Sequence, residues 1–400
     1  MRLEARIPLY GGYTLSRDDG VIFIRGALPG EIVEAEVVEK KRDYSVASVK
    51  EVIESSPDRI VPSCPVFGVC GGCHYQYIAC HRQVSMKEEV VLDCIERIGK
   101  TELSLDPSLV SSPWHYRKRA QFKVSADGRI GFYRTLSHDV VEFEKCLLLS
   151  PGINTFLKHI KSVGMPPGVK EIHLQSGDIL LAAVKGDRFD AGIVAERFRD
   201  AGVSGISFEN GSVEGAEQIC LDLNGYHYMV SSSSFFQVNW ELNNKLLSVI
   251  SSFVSSIRPE KVIDLYCGAG NFSIPLSPFA GEIVGVEENP SSFRDGEENI
   301  ELNRIGNIRL VNRRVEDFDI GKGTDLIILD PPRAGLTKRV LRGIIEASPS
   351  WLVYVSCNPS TFARDIGRLK EHYVPDSVRV VDMFPQTYHI EVLGILKKTT

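Results

Sequence analysis

Apolar and polar positions alternate from the start of the chain to about residue 55, in runs such as Val21-Ile22-Phe23-Ile24 and Glu31-Ile32-Val33-Glu34-Ala35-Glu36-Val37. Gly11-Gly12, Asp19-Gly20 and Pro29-Gly30 punctuate these runs. A period of two broken by such turns predicts a small antiparallel β-barrel over residues 1–55. After the linker-like Ser55-Ser56-Pro57-Asp58, residues 60–80 are rich in cysteine and glycine. The period then lengthens. Val84, Val90-Val91, Cys94-Ile95 and Ile98 fall on one stripe, which predicts an amphipathic helix over 83–99 with an apolar face suited to packing on the C-terminal domain. Strand-like segments follow to about residue 232. From Leu242 onward apolar strands alternate with helical stretches, the pattern of a parallel sheet covered on both faces. Three domains are expected: the barrel, a central α+β domain over 56–232, and a Rossmann-like α/β domain over 233–400.

A chain of 400 residues exceeds what one hydrophobic core organises, which agrees with that division. The longest apolar runs, Ile179 to Val184 and Leu326 to Leu329, are of strand length and stop short of the ~20 residues a membrane span needs. Met1-Arg2-Leu3-Glu4 does not open a signal peptide, so a cytoplasmic location without membrane association is expected. A net charge of -6 excludes nucleic-acid binding over the whole surface and confines any such site to a local patch. Nine cysteines without a secretion signal point to metal binding, catalysis or burial, not to a disulfide framework.

Candidate chemistry collects at strand ends. Lys261-Val262-Ile263-Asp264-Leu265-Tyr266 runs into Cys267-Gly268-Ala269-Gly270-Asn271, where glycines let the backbone come close to a ligand. The third glycine of the dinucleotide fingerprint and the Gly-Lys-Ser/Thr of a phosphate loop are both missing, which argues against a pyrophosphate. The next strand ends at Glu287, placed to accept both ribose hydroxyls, so an adenosine without phosphates fits. Later strands end in Asp330-Pro331-Pro332-Arg333 and Ser356-Cys357-Asn358-Pro359, at the same sheet edge. Cys357 is either a buried structural thiol or a reactive one, whereas Cys267 reads as a small packing residue in the turn.

Two further clusters stand out. Trp114 to Arg134 holds six basic residues against Asp127 alone, and alternation would put Arg117, Arg119, Gln121 and Lys123 on one face. Cations interleaved with aromatics grip phosphates while stacking bases. Cys64, Cys70 and Cys73 lie in one glycine-rich turn, tight enough to surround a metal centre. A fourth ligand is needed; proximity favours Cys80 and a zinc site.

Taken together these residues resemble a known family, the RNA uracil-5 methyltransferases that modify large-subunit ribosomal RNA and tRNA. The resemblance rests on Phe235-Phe236-Gln237-Val238-Asn239, Asp264 to Phe272, Asp330-Pro331-Pro332-Arg333, Ser356-Cys357-Asn358-Pro359 and His389-Ile390-Glu391. It implies that Gln237, Tyr266, Asn271, Glu287 and Asp330 line the cofactor and base sites, that S-adenosylmethionine is the cofactor, that Cys357 is the nucleophile and that Glu391 is the base. It also implies a 4Fe-4S cluster held by Cys64, Cys70, Cys73 and the distant Cys146 instead of zinc, structural or RNA-positioning in role. Residues 1–55 resemble the TRAM domain, an RNA-binding barrel, through Gly11-Gly12, Arg17-Asp18-Asp19-Gly20 and Gly26 to Glu31; Tyr13-Thr14 departs from the commoner glycine-hydrophobic pair.

Carbon 5 of uracil is a poor nucleophile. A thiolate adding to carbon 6 pushes electron density onto it, and a base then removes the carbon 5 proton so that the thiol leaves. The helix opened by Asn358-Pro359-Ser360-Thr361 offers a positive end to the Cys357 thiolate. The expected substrate is a uridine taken out of its stack in structured RNA, 23S rRNA first and tRNA second, with no protein partner. Competing readings are an RNA-binding protein without activity and a methyltransferase for a protein or small molecule. The first requires loss of Cys357 or Glu391, and the second predicts neither barrel nor basic patch.

Overall fold

The computed structural model describes residues 1–18 and 20–399; Asp19, one of the expected turn residues, lies outside them. Strands Arg2–Glu4, Ile7–Leu9, Tyr13–Ser16, Ile22–Arg25, Ile32–Lys40 and Ser45–Glu54 form one six-stranded sheet around Leu3, Ile22, Ile24, Val33, Ala35 and Ala47. The antiparallel expectation needs one correction: Ile22–Arg25 pairs parallel with Ser45–Ser48. The segment read as a linker is clamped. Arg59 lies over the Tyr77 ring at 4.6 Å and donates to Glu31, which is fully buried, at 2.6 and 2.7 Å. Such a two-pronged guanidinium–carboxylate pair fixes geometry as well as charge.

Seven strands make the central sheet, in the order Val213–Gly215, Gly205–Phe208, Leu180–Gly186, Val169–Ser176, Arg119–Val124, Ile130–Tyr133 and Val140–Glu142. The block read as strand-like also carries two helices, Pro151–Val163 and Ala191–Asp200. Ile153, Phe156, Leu157 and Ile160 are all buried at helical spacing, and Pro151 occupies the first turn where its missing N–H costs nothing. Asp190 caps the second helix by accepting from the Ile193 N–H at 3.1 Å. Both helices pack on the sheet through one shared core with Phe122, Ile172 and Val184.

Helix Cys80–Cys94, begun three residues before its expected start, continues as a π turn over Ile95–Gly99. Its Val90, Val91, Cys94 and Ile95 enter the core of the C-terminal sheet beside Phe362, Ala363 and Ile366. Contact there is close enough to demand glycine: a Cβ on Gly367 would lie 2.9 Å from the Gly99 carbonyl oxygen. Lys87, 1 % exposed, reaches Asp382 at 2.5 Å and the Phe384 carbonyl at 3.2 Å.

The C-terminal sheet runs Ile308–Asn312, Glu282–Glu287, Lys261–Leu265, Leu326–Leu329, Trp351–Ser356, Glu391–Lys398, Tyr373–Val381. Its first five strands are parallel, as the sequence pattern predicts, but Glu391–Lys398 runs against them, antiparallel to both of its neighbours. Two apolar cores cover its faces. Among the described residues no helix is long and apolar enough to cross a membrane.

Candidate active site

Parallel strands all end at one edge, and that edge carries Tyr266, Glu287, Asp330 and Cys357 immediately at or after Leu265, Val286, Leu329 and Ser356. Glu391 reaches it differently, as the first residue of the antiparallel strand. Leu352 pairs with Leu396 and Ser356 with Val392, so Cys357 follows directly after the last pair of one strand and Glu391 directly precedes it on the other. Glu391 is itself held in register by its pairing with Val381. The two groups come close enough for Glu391 to raise the Cys357 thiol.

The turn after Lys261–Leu265 is built to receive a ligand. Gly268 and Gly270 take φ of +57° and +91°, and a Cβ on Gly268 would meet nothing within 4 Å. Tyr266 itself holds φ +67°, strained for a bulky side chain. One oxygen of Glu287 accepts the Gly268 N–H at 3.0 Å and the other the Asn289 N–H at 2.6 Å, which fixes the carboxylate beside the turn with lone pairs to spare. Asn271 and Asn243 exchange amide hydrogen bonds of 2.8 and 3.2 Å, tying the turn to helix Trp240–Ile257. Gln237 is buried on the segment leading into that helix, and none of these hydrogen bonds includes it. Asn239, from the same motif, caps the helix by accepting the Leu242 N–H at 3.2 Å.

Burial dominates the electrostatics. It pushes the Glu391 carboxyl up to about 8, with the Asp330 charge adding to the rise, and leaves Oε2 without a hydrogen-bond partner. Asp330 rises to about 7 by burial alone. Asp264 also rises to about 7 by burial, against the pull of a hydrogen bond donated by Ser273 at 2.5 Å. The Cys357 thiol is raised first by burial, then by Glu391 and Asp330, while Arg333 lowers it. Asn358 caps helix Pro359–Leu369 itself, accepting the Ser360 and Thr361 N–H groups. Arg333 is the cation in reach, and its guanidinium lies 3.5 Å from His389. Burial and Arg333 hold His389 down to about 4, so it is neutral at ordinary pH. The Tyr10 hydroxyl, from the N-terminal sheet, approaches the Cys357 carbonyl at 3.5 Å.

Cys64, Cys70, Cys73 and Cys146 line one cavity, together with Phe67, Phe132 and Phe143. Cys80 is exposed and outside it, its sulfur 3.7 Å from the Gln386 amide. Burial pushes Cys73 up to about 12. The segment from Arg117 folds as expected into strand Arg119–Val124, but its charge is less concentrated than its composition implies. Lys123 pairs with Glu171, Arg129 with Asp127 and Arg134 with Asp139 at 4.0 Å, and Arg134 joins Arg117 and Arg119 on the wall of a second cavity. Sequence reasoning gave no role to Arg333, Tyr10, or Phe235, which is 64 % exposed; only Phe235 and Arg333 sit in quoted motifs that carried a signal.

The C-terminal sheet and its glycine turn define an S-adenosylmethionine-dependent methyltransferase. Residues 169–399 match the family model for tRNA (uracil-5-)-methyltransferase, and the chain belongs to that family. It is 35 % identical to an uncharacterised RNA methyltransferase of Aquifex aeolicus, over 99 % of this chain and 98 % of that one. It is 32 % identical to the 23S rRNA (uracil(1939)-C(5))-methyltransferase RlmD of Alkalilimnicola ehrlichii, over 95 % and 92 %. The Pyrococcus abyssi tRNA (uracil-54, C5)-methyltransferase in complex with S-adenosyl-L-homocysteine superposes with a TM-score of 0.78 at 25 % identity, covering 99 % of this chain and all of that one. The chain is an RNA uracil-5 methyltransferase.

Proposed function

We propose that the chain methylates carbon 5 of a 23S rRNA uridine through a covalent bond between Cys357 and carbon 6 of the base. The observation that carries this reading is that the two strands bring Cys357 and Glu391 to one sheet edge, where Glu391, Asp330 and Arg333 all act on the Cys357 thiol. Bound at the glycine turn, S-adenosylmethionine supplies an electrophilic methyl group and a neutral thioether as leaving group. The Cys357 proton passes to solvent and its thiolate forms the bond to carbon 6, while the carbon 5–carbon 6 electron pair moves onto carbon 5, which would take the methyl group. Ionised Glu391 then removes the carbon 5 proton; that C–H pair restores the double bond and the C–S pair returns to Cys357. With Glu391 raised to about 8, most molecules at pH 7 hold the carboxyl neutral, so only the ionised fraction completes this last step and its share grows as pH rises towards 8. Tyr266, Asn271, Glu287 and Asp330, with the buried Gln237, are the side chains assigned to cofactor and base.

Burial first, and neighbouring thiols after it, raise the proton affinity of Cys70, Cys73 and Cys146, a cost that a cationic centre would relieve. A cavity lined, among the described residues, by four thiols and by no histidine or carboxylate suits a 4Fe-4S cluster on Cys64, Cys70, Cys73 and Cys146. Residues 1–55 serve as the TRAM-like RNA-binding barrel beside it. A tRNA substrate is the second reading, favoured by the full-length superposition on the archaeal tRNA enzyme.

The test is incubation with methyl-labelled cofactor and both RNAs, followed by mass-spectrometric mapping. Cys357→Ala should transfer no methyl group, and Glu391→Gln should accumulate a protein–RNA adduct stable to denaturation. Normal turnover by Cys357→Ala would end the covalent reading.

A further inference from the structure

Away from the reaction centre, two cavities meet where the N-terminal sheet, the cysteine-rich turn and the central sheet come together. One, of about 610 Å³, is walled by Arg117, Arg119 and Arg134, the last 4.0 Å from Asp139; the other, of about 740 Å³, by Arg25 and by Arg59, whose charge is matched by the buried Glu31. Neither is lined by any aspartate or glutamate, although the chain carries a net charge of -6. His74, Thr135 and Leu136 belong to both.

Leu136 is unlike an ordinary surface leucine. It is 86 % exposed and holds φ +58°, a left-handed conformation that L side chains rarely adopt. Its turn is braced rather than loose. The Arg134 N–H donates to Asp139 at 2.8 Å and the Ser137 N–H to Arg134 at 3.1 Å. The cysteine-rich turn backs it from behind, with Thr135 N–H donating to Val69 at 3.1 Å and Gly71 N–H to Tyr133 at 2.9 Å. Val61, 88 % exposed, lines the larger cavity as well. Single exposed apolar side chains are common on soluble proteins. Here, however, the two most exposed large ones among the described residues border the same acid-free cavity.

A series of rings leads from the shared junction towards Cys357. His74 lies 4.4 Å from Tyr388 and Tyr388 4.5 Å from His389, centroid to centroid, and His389 meets Arg333. These rings pack on one another at tilts of 54° and 47°, forming a continuous wall between the junction and the site. Apolar side chains held at a groove separate neighbouring bases by entering between them.

We propose that Leu136 is a wedge that enters the base stack of the substrate RNA in the strand flanking the target uridine, holding that strand parted between the two arginine-lined cavities. This rests on the reading of Cys357 as the methylating nucleophile. The RNA class it selects is a loop whose flanking nucleotides are still stacked, since a wedge gains nothing on a strand already open. Leu136 is a substrate-positioning residue, and the cysteine-rich turn behind it is the platform that keeps it in place.

The probes are the stem-loop found in the mapping assay, with 2-aminopurine placed beside the target uridine, and an unstructured oligonucleotide of the same local sequence. Leu136→Ala should lower kcat/KM by about ten-fold on the stem-loop and by less than about two-fold on the open strand. The rise in 2-aminopurine fluorescence on binding should vanish in Leu136→Ala and survive in Leu136→Met. Equal losses on both RNAs, or an unchanged fluorescence rise in Leu136→Ala, would overturn the wedge. Repeating the fluorescence measurement in a Cys357→Ala background reads strand parting without methyl transfer, so failure of the wedge and failure of the covalent chemistry give different results.

Discussion

Replacing Glu391 by glutamine should stabilise the folded protein, and the gain should grow as pH rises. Burial and the Asp330 charge lift this carboxyl from 4.5 to about 8 in the folded state. Because the folded value lies above the unfolded one, the native protein keeps the proton that the unfolded chain releases. Stability is therefore lost as pH climbs past 4.5, and the loss levels off only above about 8. At about 1.4 kcal/mol per unit, the native state gives up about 1 kcal/mol at pH 5 and about 3 kcal/mol at pH 7 on this account. Glutamine has the same shape and does not titrate, so the variant escapes the loss; its amide contributes an offset independent of pH. Asp264 and Asp330 titrate in both proteins and drop out to first order. Urea unfolding of the two proteins at pH 5 and pH 7 should show a difference that widens by about 2.5 kcal/mol. A constant difference would mean that Glu391 is ionised when folded, and the electrostatic account of the site would fail. The stabilised variant should also be the one that cannot release RNA.

Lys87→Met should cost about 3–5 kcal/mol by stranding the buried Asp382 carboxylate, and Lys87→Met with Asp382→Leu should recover most of it; denaturant titration of the single and double variants checks both. Anaerobically purified Cys146→Ser should lose bound iron while Cys80→Ser keeps it, as metal analysis and the visible spectrum would report; zinc in the unaltered protein would reverse the assignment.

The parts of the site that the sequence revealed most directly are those a parallel sheet delivers automatically. Each apolar strand ends at one edge, so Glu287, Asp330 and Cys357 could be located there by finding where the apolar run stops. Glu391 obeys no such rule. Its strand runs the opposite way and it sits at the beginning, so periodicity alone would have assigned it to a solvated strand end, and only resemblance to a family singled it out. The two central helices were legible and passed over. Ile153, Phe156, Leu157 and Ile160 keep helical spacing after a Ser-Pro start, but the surrounding β-branched segments suggested strands. The ring series from His74 to Tyr388 could not have been found, because it joins residues more than 300 positions apart that share no pattern. Pairing of Lys123 with Glu171 is likewise a matter of folded neighbours, which a count over Trp114 to Arg134 leaves as free charge.

The rung that pairs Glu391 with Val381, one step from the end of the Trp351–Ser356 ladder, has a consequence for how this enzyme tolerates change. Side chains that meet by packing drift apart gradually as their surroundings vary, but two residues on facing strands can separate only in whole steps. A residue inserted into the loop between Val381 and Glu391 is absorbed by the loop, whereas one inserted between Glu391 and Val392 moves the carboxyl off its rung. Reaction geometry in this protein is thus a counted quantity, insensitive to substitutions in the core and lost outright to a shift of one.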